Sequence, residues 1–190
     1  MRVQIKPAHQ IQRINSLLNQ LDEFNNMDHK VFMKRPHEKA WSGAEVLKHM
    51  ILGHTAYATK VDDALAKSNS VKDEVDVRST RAIPSFLIKR FRPKEGEIRF
   101  KMKTTKLFKP VLDVDELTKA QVDRLISEMK KTLNQLSDWV EQTRKKDVLP
   151  VRFNSAIGAV VKFNTSEACE FILCHNERHF QQVKNTIASV

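Results

Sequence analysis

The feature that most constrains the fold is a set of long amphipathic segments with few helix-breaking residues. Only four of the 190 residues are Gly and six are Pro. Four segments, about 8–27, 42–67, 114–143 and 164–188, repeat apolar residues at steps of three and four, the period of one helix face. Such helices must bury their apolar faces against each other. The sequence therefore predicts an all-α fold, most simply a four-helix bundle forming a single domain over 1–190.

Polar residues suited to helix N-termini precede three of these segments. In each pair, the side chain of the first residue accepts a hydrogen bond from the backbone amide three residues on. The acidic side chain at that position accepts one from the backbone amide of the first residue. The pairs are Ser42 with Glu45, Asp113 with Glu116, and Asn164 with Glu167. They predict where the second, third and fourth long helices begin.

The connectors differ in character. Residues 29–41 have no helical period and are predicted as a connector held by Phe32 and Trp41, whereas 84–91 is amphipathic enough for one or two helical turns. Residues 149–164 are predicted as a long connection packed through four apolar side chains. These are Phe153, Ile157, Val160 and Phe163.

The formal charge of +10 is concentrated between the second and third long helices. Residues 81–109 contain ten Lys or Arg against two Glu, a net charge of +8. This long basic excursion is predicted to be ordered and packed by Phe100 and Phe108. It either attracts phosphates, acidic substrates or an acidic partner, or is simply solvated. Nucleic acid is the less favoured partner because the helices are close to charge balance. The candidate basic patch is Lys89, Arg90, Arg92, Lys94, Arg99, Lys101 and Lys103.

Several features predict a cytoplasmic protein. No apolar run reaches the roughly 20 residues of a membrane span, and the N-terminus lacks the pattern of a secretory signal. Cys169 and Cys174 lie on one predicted helix and project in different directions, so they cannot form an intrahelical disulfide. Free thiols fit a reducing compartment, and we interpret both as small core residues rather than nucleophiles.

The last predicted helix carries the most distinctive chemistry. His175 and His179 are four residues apart on its apolar stripe, so both imidazoles can reach one point in space. This spacing suits a divalent metal, but a pair of hydrogen-bonded core histidines is an equally simple interpretation. Glu170, Asn176 and Glu177 are predicted to lie away from the buried face. In the second long helix, periodicity alone selects His54 as the inward histidine and places His49 at the stripe edge.

Two motifs resemble the DinB superfamily. Residues 41–50, WSGAEVLKHM, are similar to the opening of that family's second helix, W-S-x-x-E followed by two hydrophobic residues, x, His and a hydrophobic residue. Residues 175–182, HNERHFQQ, are similar to its last-helix pattern, H-x-x-R-H, an aromatic or aliphatic residue, x and Gln. The resemblance follows the helix order over most of the chain.

The resemblance implies a four-helix bundle of up-down-down-up type that binds a divalent metal through His49, His175 and His179. His54 then becomes a packed core histidine. Arg178 and Gln182 match the family pattern as residues that support a ligand imidazole or contact substrate; a surface salt bridge is the alternative for Arg178. A small-molecule substrate and a homodimer are implied as well.

A site with three histidine ligands and no evident fourth ligand is open, as in catalytic zinc sites. Zinc, nickel, iron and manganese are all compatible with imidazole. The family includes thiol-S-transferases that use small thiols, a thiol-dependent isomerase and metal-dependent hydrolases. The chain is therefore expected to be a metal-dependent enzyme, a thiol transferase or hydrolase. The alternative is a metal-free helical bundle that acts as a binding or stress-associated protein through its basic region.

Overall fold

The computed structural model describes residues 2–93 and 104–190, and these are mostly helical with two small antiparallel sheets. The helices, in chain order, are α1 (Pro7–Asn25), α2 (His29–Met33), α3 (Gly43–Ala66), α4 (Ala82–Phe91), α5 (Lys119–Lys145) and α6 (Thr165–Ala188). The strands are β1 (Gln4–Ile5), β2 (Arg78–Ser79), β3 (Phe153–Ser155) and β4 (Gly158–Phe163). A 3-10 turn spans Lys106–Phe108.

The four long helices pack against each other as their apolar stripes require. The helix α1 lies against α5 and α6, and α3 also lies against α5 and α6. In α1 the buried positions Ile14, Leu17, Leu21 and Phe24 follow the predicted steps of three and four residues. The helical prediction therefore holds for most of the chain, whereas the two small sheets depart from an all-α fold.

The helix α6 is the central element, and its burial corrects one prediction. It contacts α1, α3, α4 and α5 and both small sheets. Glu170 and Asn176, predicted to lie away from the core, are only 2% and 1% exposed. An apolar stripe indicates which face of a helix packs against the core. A helix surrounded by neighbours also buries polar positions outside that stripe.

Buried Glu170 is stabilised by partners from two other elements. Its carboxylate accepts hydrogen bonds from Arg13 at 2.7 Å and from Gln10 at 2.9 Å, both on α1. Arg92, just after α4, bonds the same carboxylate. One buried acidic group thus joins α6 to α1 and to the end of α4, because a charge removed from water requires charged or polar partners.

The third long helix begins later than predicted. The helix α5 begins at Lys119, where Thr118 and Gln121 form a capping box. Asp113 does not cap it, because its carboxylate accepts the amide of Asp115, two residues on. Such a local bond forms a turn that competes with helix formation. The caps at Ser42 and Asn164 are confirmed, with both reciprocal bonds present in each box.

The segment predicted as a long connection contains a β-hairpin. The strands β3 and β4 pair antiparallel, with Phe153 opposite Phe163 and an irregularity after Asn154. Phe163 is buried, but Val160 is 93% exposed and does not pack as predicted. Side chains alternate between the two faces of a strand, so Val160 and Phe163 point to opposite sides.

The short connectors also contain structure that their sequences did not indicate. Residues 29–41 include the single helical turn α2, which Asp28 caps and which buries Phe32. The strand β2 pairs with β1 near the N-terminus. By contrast, the helical piece predicted at 84–91 is present in full as the helix α4, which begins two residues earlier, at Ala82.

Residues 94–103, about a third of the basic excursion, lie outside the described residues. Lys94, Arg99, Phe100, Lys101 and Lys103 all fall there. Phe108 is buried, as predicted. None of the helices in residues 2–93 and 104–190 is long and apolar enough to cross a membrane.

Candidate metal centre

Three histidines meet where α3 packs against α6. His49 comes from α3, and His175 and His179 come from α6. One ring nitrogen of each lies within 4.8 Å of those of the other two. The ring centroids are 4.7 Å apart for His49 and His179, 5.3 Å for His49 and His175, and 4.4 Å for His175 and His179. The structure thus brings together the three histidines that the resemblance selected.

Hydrogen bonds fix the ring orientation of two of these histidines. Nδ1 of His49 lies 2.7 Å from the carbonyl oxygen of Phe108, which can only accept, so Nδ1 carries the hydrogen. Nδ1 of His179 donates in the same way to Oε1 of Gln182 at 2.8 Å. Each ring therefore keeps the lone pair of Nε2 free. Histidines that ligate metals commonly have such an acceptor on the other nitrogen.

All three imidazoles are held in the neutral form that a metal requires. Burial lowers the pKa of His49 and places that of His179 well below its ordinary value. The pKa of His175 is lowered to about 3, by burial first and then by repulsion from a protonated His49 or from Arg178. A cluster of imidazoles taken out of water cannot accept protons easily, so its lone pairs remain available.

His54 is buried separately from this cluster. It is 3% exposed, and its ring stacks on that of Trp139 at 4.7 Å. Its Nε2 lies 3.0 Å from Oε1 of Gln135. These contacts fit the prediction of a packed core histidine, and burial lowers its pKa. Periodicity selected His54 as the inward histidine and placed His49 at the stripe edge, but both positions of α3 are buried.

A cavity of about 140 Å³ adjoins the three histidines. Its walls are largely apolar and aromatic, and Arg178 also lines it. The apolar and aromatic walls include Tyr57, Phe91, Phe108, Phe171, Ile172 and Ile157. A small, mostly apolar pocket with a few convergent polar groups is the usual form of a small-molecule site.

Arg178 and Gln182 occupy different positions around the centre. Gln182 contacts a candidate ligand directly, as predicted from the resemblance. Arg178 is 9% exposed, and its guanidinium lies 6.0 Å from the centre of the Phe91 ring. Burial lowers its pKa. It forms no ion pair within the described part of the chain, so the surface salt bridge is not its role there.

Other residues singled out in the sequence have structural roles. Glu45 closes the capping box and pairs with Arg35 at 2.6 Å, so it is not available as a base. Trp41 packs its ring 5.1 Å from that of His49. Cys169 and Cys174 are buried and free, and burial raises the pKa of both thiols.

Two contributions to the site carried no sequence signal. The carbonyl of Phe108 orients His49 from 59 residues away, and a backbone acceptor has no residue type by which to identify it. The cavity walls come from α3, α4, α6, the 3-10 turn and the hairpin, so only their packing brings them together.

Comparison with protein-family models, with curated proteins and with solved structures found no match. The three-histidine cluster is therefore the observation from which a function is proposed.

Proposed function

We propose that this chain is a divalent-metal-dependent enzyme acting on a small molecule. The observation that carries the proposal is the convergence of His49, His175 and His179, with the adjoining cavity as support. The motifs at 41–50 and 175–182 further support membership of the DinB superfamily, with α1, α3, α5 and α6 as a four-helix bundle of up-down-down-up type. A homodimer follows from the same resemblance, and light scattering after gel filtration tests it.

The residues present fit a divalent ion. The donor set is three neutral imidazoles, and the two with acceptors on Nδ1 offer Nε2. Zinc, nickel, iron and manganese all accept such ligands. When bound, the ion would supply Lewis acidity toward a substrate oxygen or stabilise a small thiol co-substrate as its thiolate.

The chain's own residues have separable tasks in this proposal. Gln182 and the Phe108 carbonyl hold two of the imidazoles in their ligating orientation, and the aromatic walls exclude water from the reacting groups. We infer a thiol-S-transferase or hydrolase reaction on a small molecule. Arg81 and Arg92 of the basic region bond the buried carboxylates of Glu167 and Glu170. These two contacts, both among the described residues, join elements of the fold and do not by themselves support a metal-free binding role.

Metal analysis tests the proposal. Untagged protein purified without chelator, or reloaded with zinc, nickel, iron or manganese, is expected to hold about one ion per chain. The His179→Ala variant should lose it while keeping its helical circular dichroism. The His37→Ala variant should keep it, because His37 is exposed and is not part of the histidine cluster. A wild-type chain that cannot be loaded, or a His179→Ala variant with full metal content, would contradict the proposal.

A further inference from the structure

Arg178 is a buried cation with no anionic partner in the described residues. Other arginines that contact α6 behave differently. Arg13 pairs with Glu170 and Glu177, each at 2.7 Å, and Arg81 pairs with Glu167. Arg178 is more buried than either. Its guanidinium lies beside the face of Phe91 and near the imidazoles of His175 and His179. A guanidinium removed from water without a counter-charge is unfavourable, so such a residue is rarely retained without a partner.

No group lining the cavity in the described chain can supply a counter-charge to Arg178. The nearest titratable groups lining the cavity are imidazoles and the Tyr57 hydroxyl, and none of them carries negative charge near neutral pH. The Tyr57 hydroxyl is further occupied by Ser155 Oγ at 2.6 Å. Within the described chain, the negative charge that would complement Arg178 is left to a ligand of the cavity.

The rest of the cavity sets the size and polarity of that ligand. A volume of about 140 Å³ is close to the roughly 150 Å³ of cavities that take up a single benzene ring. Phe91, Phe108, Phe171 and Ile172 offer apolar contact rather than hydrogen bonds. One end of the cavity ligand should thus be charged and the remainder hydrocarbon.

We propose that the cavity binds small apolar carboxylates, with the carboxylate paired to Arg178 and an aromatic or branched hydrocarbon group against the aromatic walls. A planar guanidinium suits a planar carboxylate because two parallel hydrogen bonds form at once. The substrate-class assignment rests on the proposed function, since the same cavity adjoins the three histidines. The carboxylate site itself requires no metal.

Benzoate and its neutral isostere benzamide test this site in protein freed of metal with EDTA. Isothermal titration calorimetry should show saturable benzoate binding, with benzamide at least tenfold weaker. Arg178→Met should reduce benzoate affinity at least tenfold, and Arg178→Lys should retain part of it because the charge remains. Arg124→Met is the matched control, since Arg124 is exposed on α5. Circular dichroism verifies that each variant is folded.

Three results would overturn the proposal. The first is equal affinity for benzoate and benzamide, and the second is unchanged benzoate binding in Arg178→Met. The third is no saturable binding of benzoate, phenylacetate or isovalerate. Benzoate binding that requires added metal and is unchanged in Arg178→Met also contradicts the proposal, as a case of the second result. Metal content, measured separately, decides the metal proposal, so the two can fail independently.

Discussion

Gln182 accepts a hydrogen bond from Nδ1 of His179 at 2.8 Å, three residues back along the same helix. The bond sets both the tautomer and the rotation of the His179 ring and leaves the lone pair of Nε2 free. A half-buried glutamine thus orients a buried imidazole.

Replacing Gln182 by Leu should weaken metal binding without unfolding the protein. Loss of a group that orients a metal ligand typically costs about 10- to 100-fold in affinity. Gln181→Leu is the control, because Gln181 bonds Asn185 instead. Competition with a chromophoric chelator gives the two dissociation constants. Equal affinities would show that the Gln182 bond does not support the centre.

Replacing Glu170 by Ala should destabilise the fold strongly. The change leaves Arg13 and Arg92 without the buried carboxylate that they share. Removing one partner of a buried ion pair costs about 3–5 kcal/mol. Asp22→Asn provides the comparison, since its pair with Lys130 is exposed and should contribute under about 1 kcal/mol. Urea unfolding measures both, and similar losses would contradict the structural role of Glu170.

His54 should make stability depend on pH. Burial lowers its pKa in the folded protein, against attraction from Asp62 and its bond to Gln135. Below the unfolded pKa of about 6.5, the unfolded chain binds a proton that the folded chain does not, so the free energy of unfolding falls as pH decreases. A difference of one bound proton changes the free energy of unfolding by about 1.4 kcal/mol per pH unit.

The His54→Gln variant isolates this contribution, because glutamine does not titrate and can still form hydrogen bonds. Urea unfolding of EDTA-treated protein at pH 7.5, 6.5 and 5.5 should show a steeper acid loss for wild type than for His54→Gln. Parallel pH profiles would mean that His54 titrates alike in both states.

The two cysteines should resist modification in the folded protein. Burial raises the pKa of Cys174 to about 12 and that of Cys169 further. Because only the thiolate attacks, a disulfide reagent at pH 8 should label neither thiol in native protein and both after urea unfolding. Rapid labelling of native protein would contradict their assignment as core residues.

Local features of the fold were predictable because they depend on neighbours in sequence. The capping boxes at Ser42 and Asn164 involve residues three apart, and the spacing of His175 and His179 follows from one helical turn. Two errors arose from local structure. Asp113 formed a turn rather than a cap, and Val160 lies on the outward face of a strand.

The sequence by itself determined where the helices form and that His175 and His179 share one side of α6. Tertiary structure alone decided that Glu170 is buried and that Arg178 lines a cavity without a carboxylate partner in the described chain. It also placed His49, which the motif at 41–50 had selected against the helix period, beside those two histidines. The physical reason is burial on several sides. Once a helix contacts three or more neighbours, its apolar stripe no longer specifies which residue faces which partner, and packing determines the rotation.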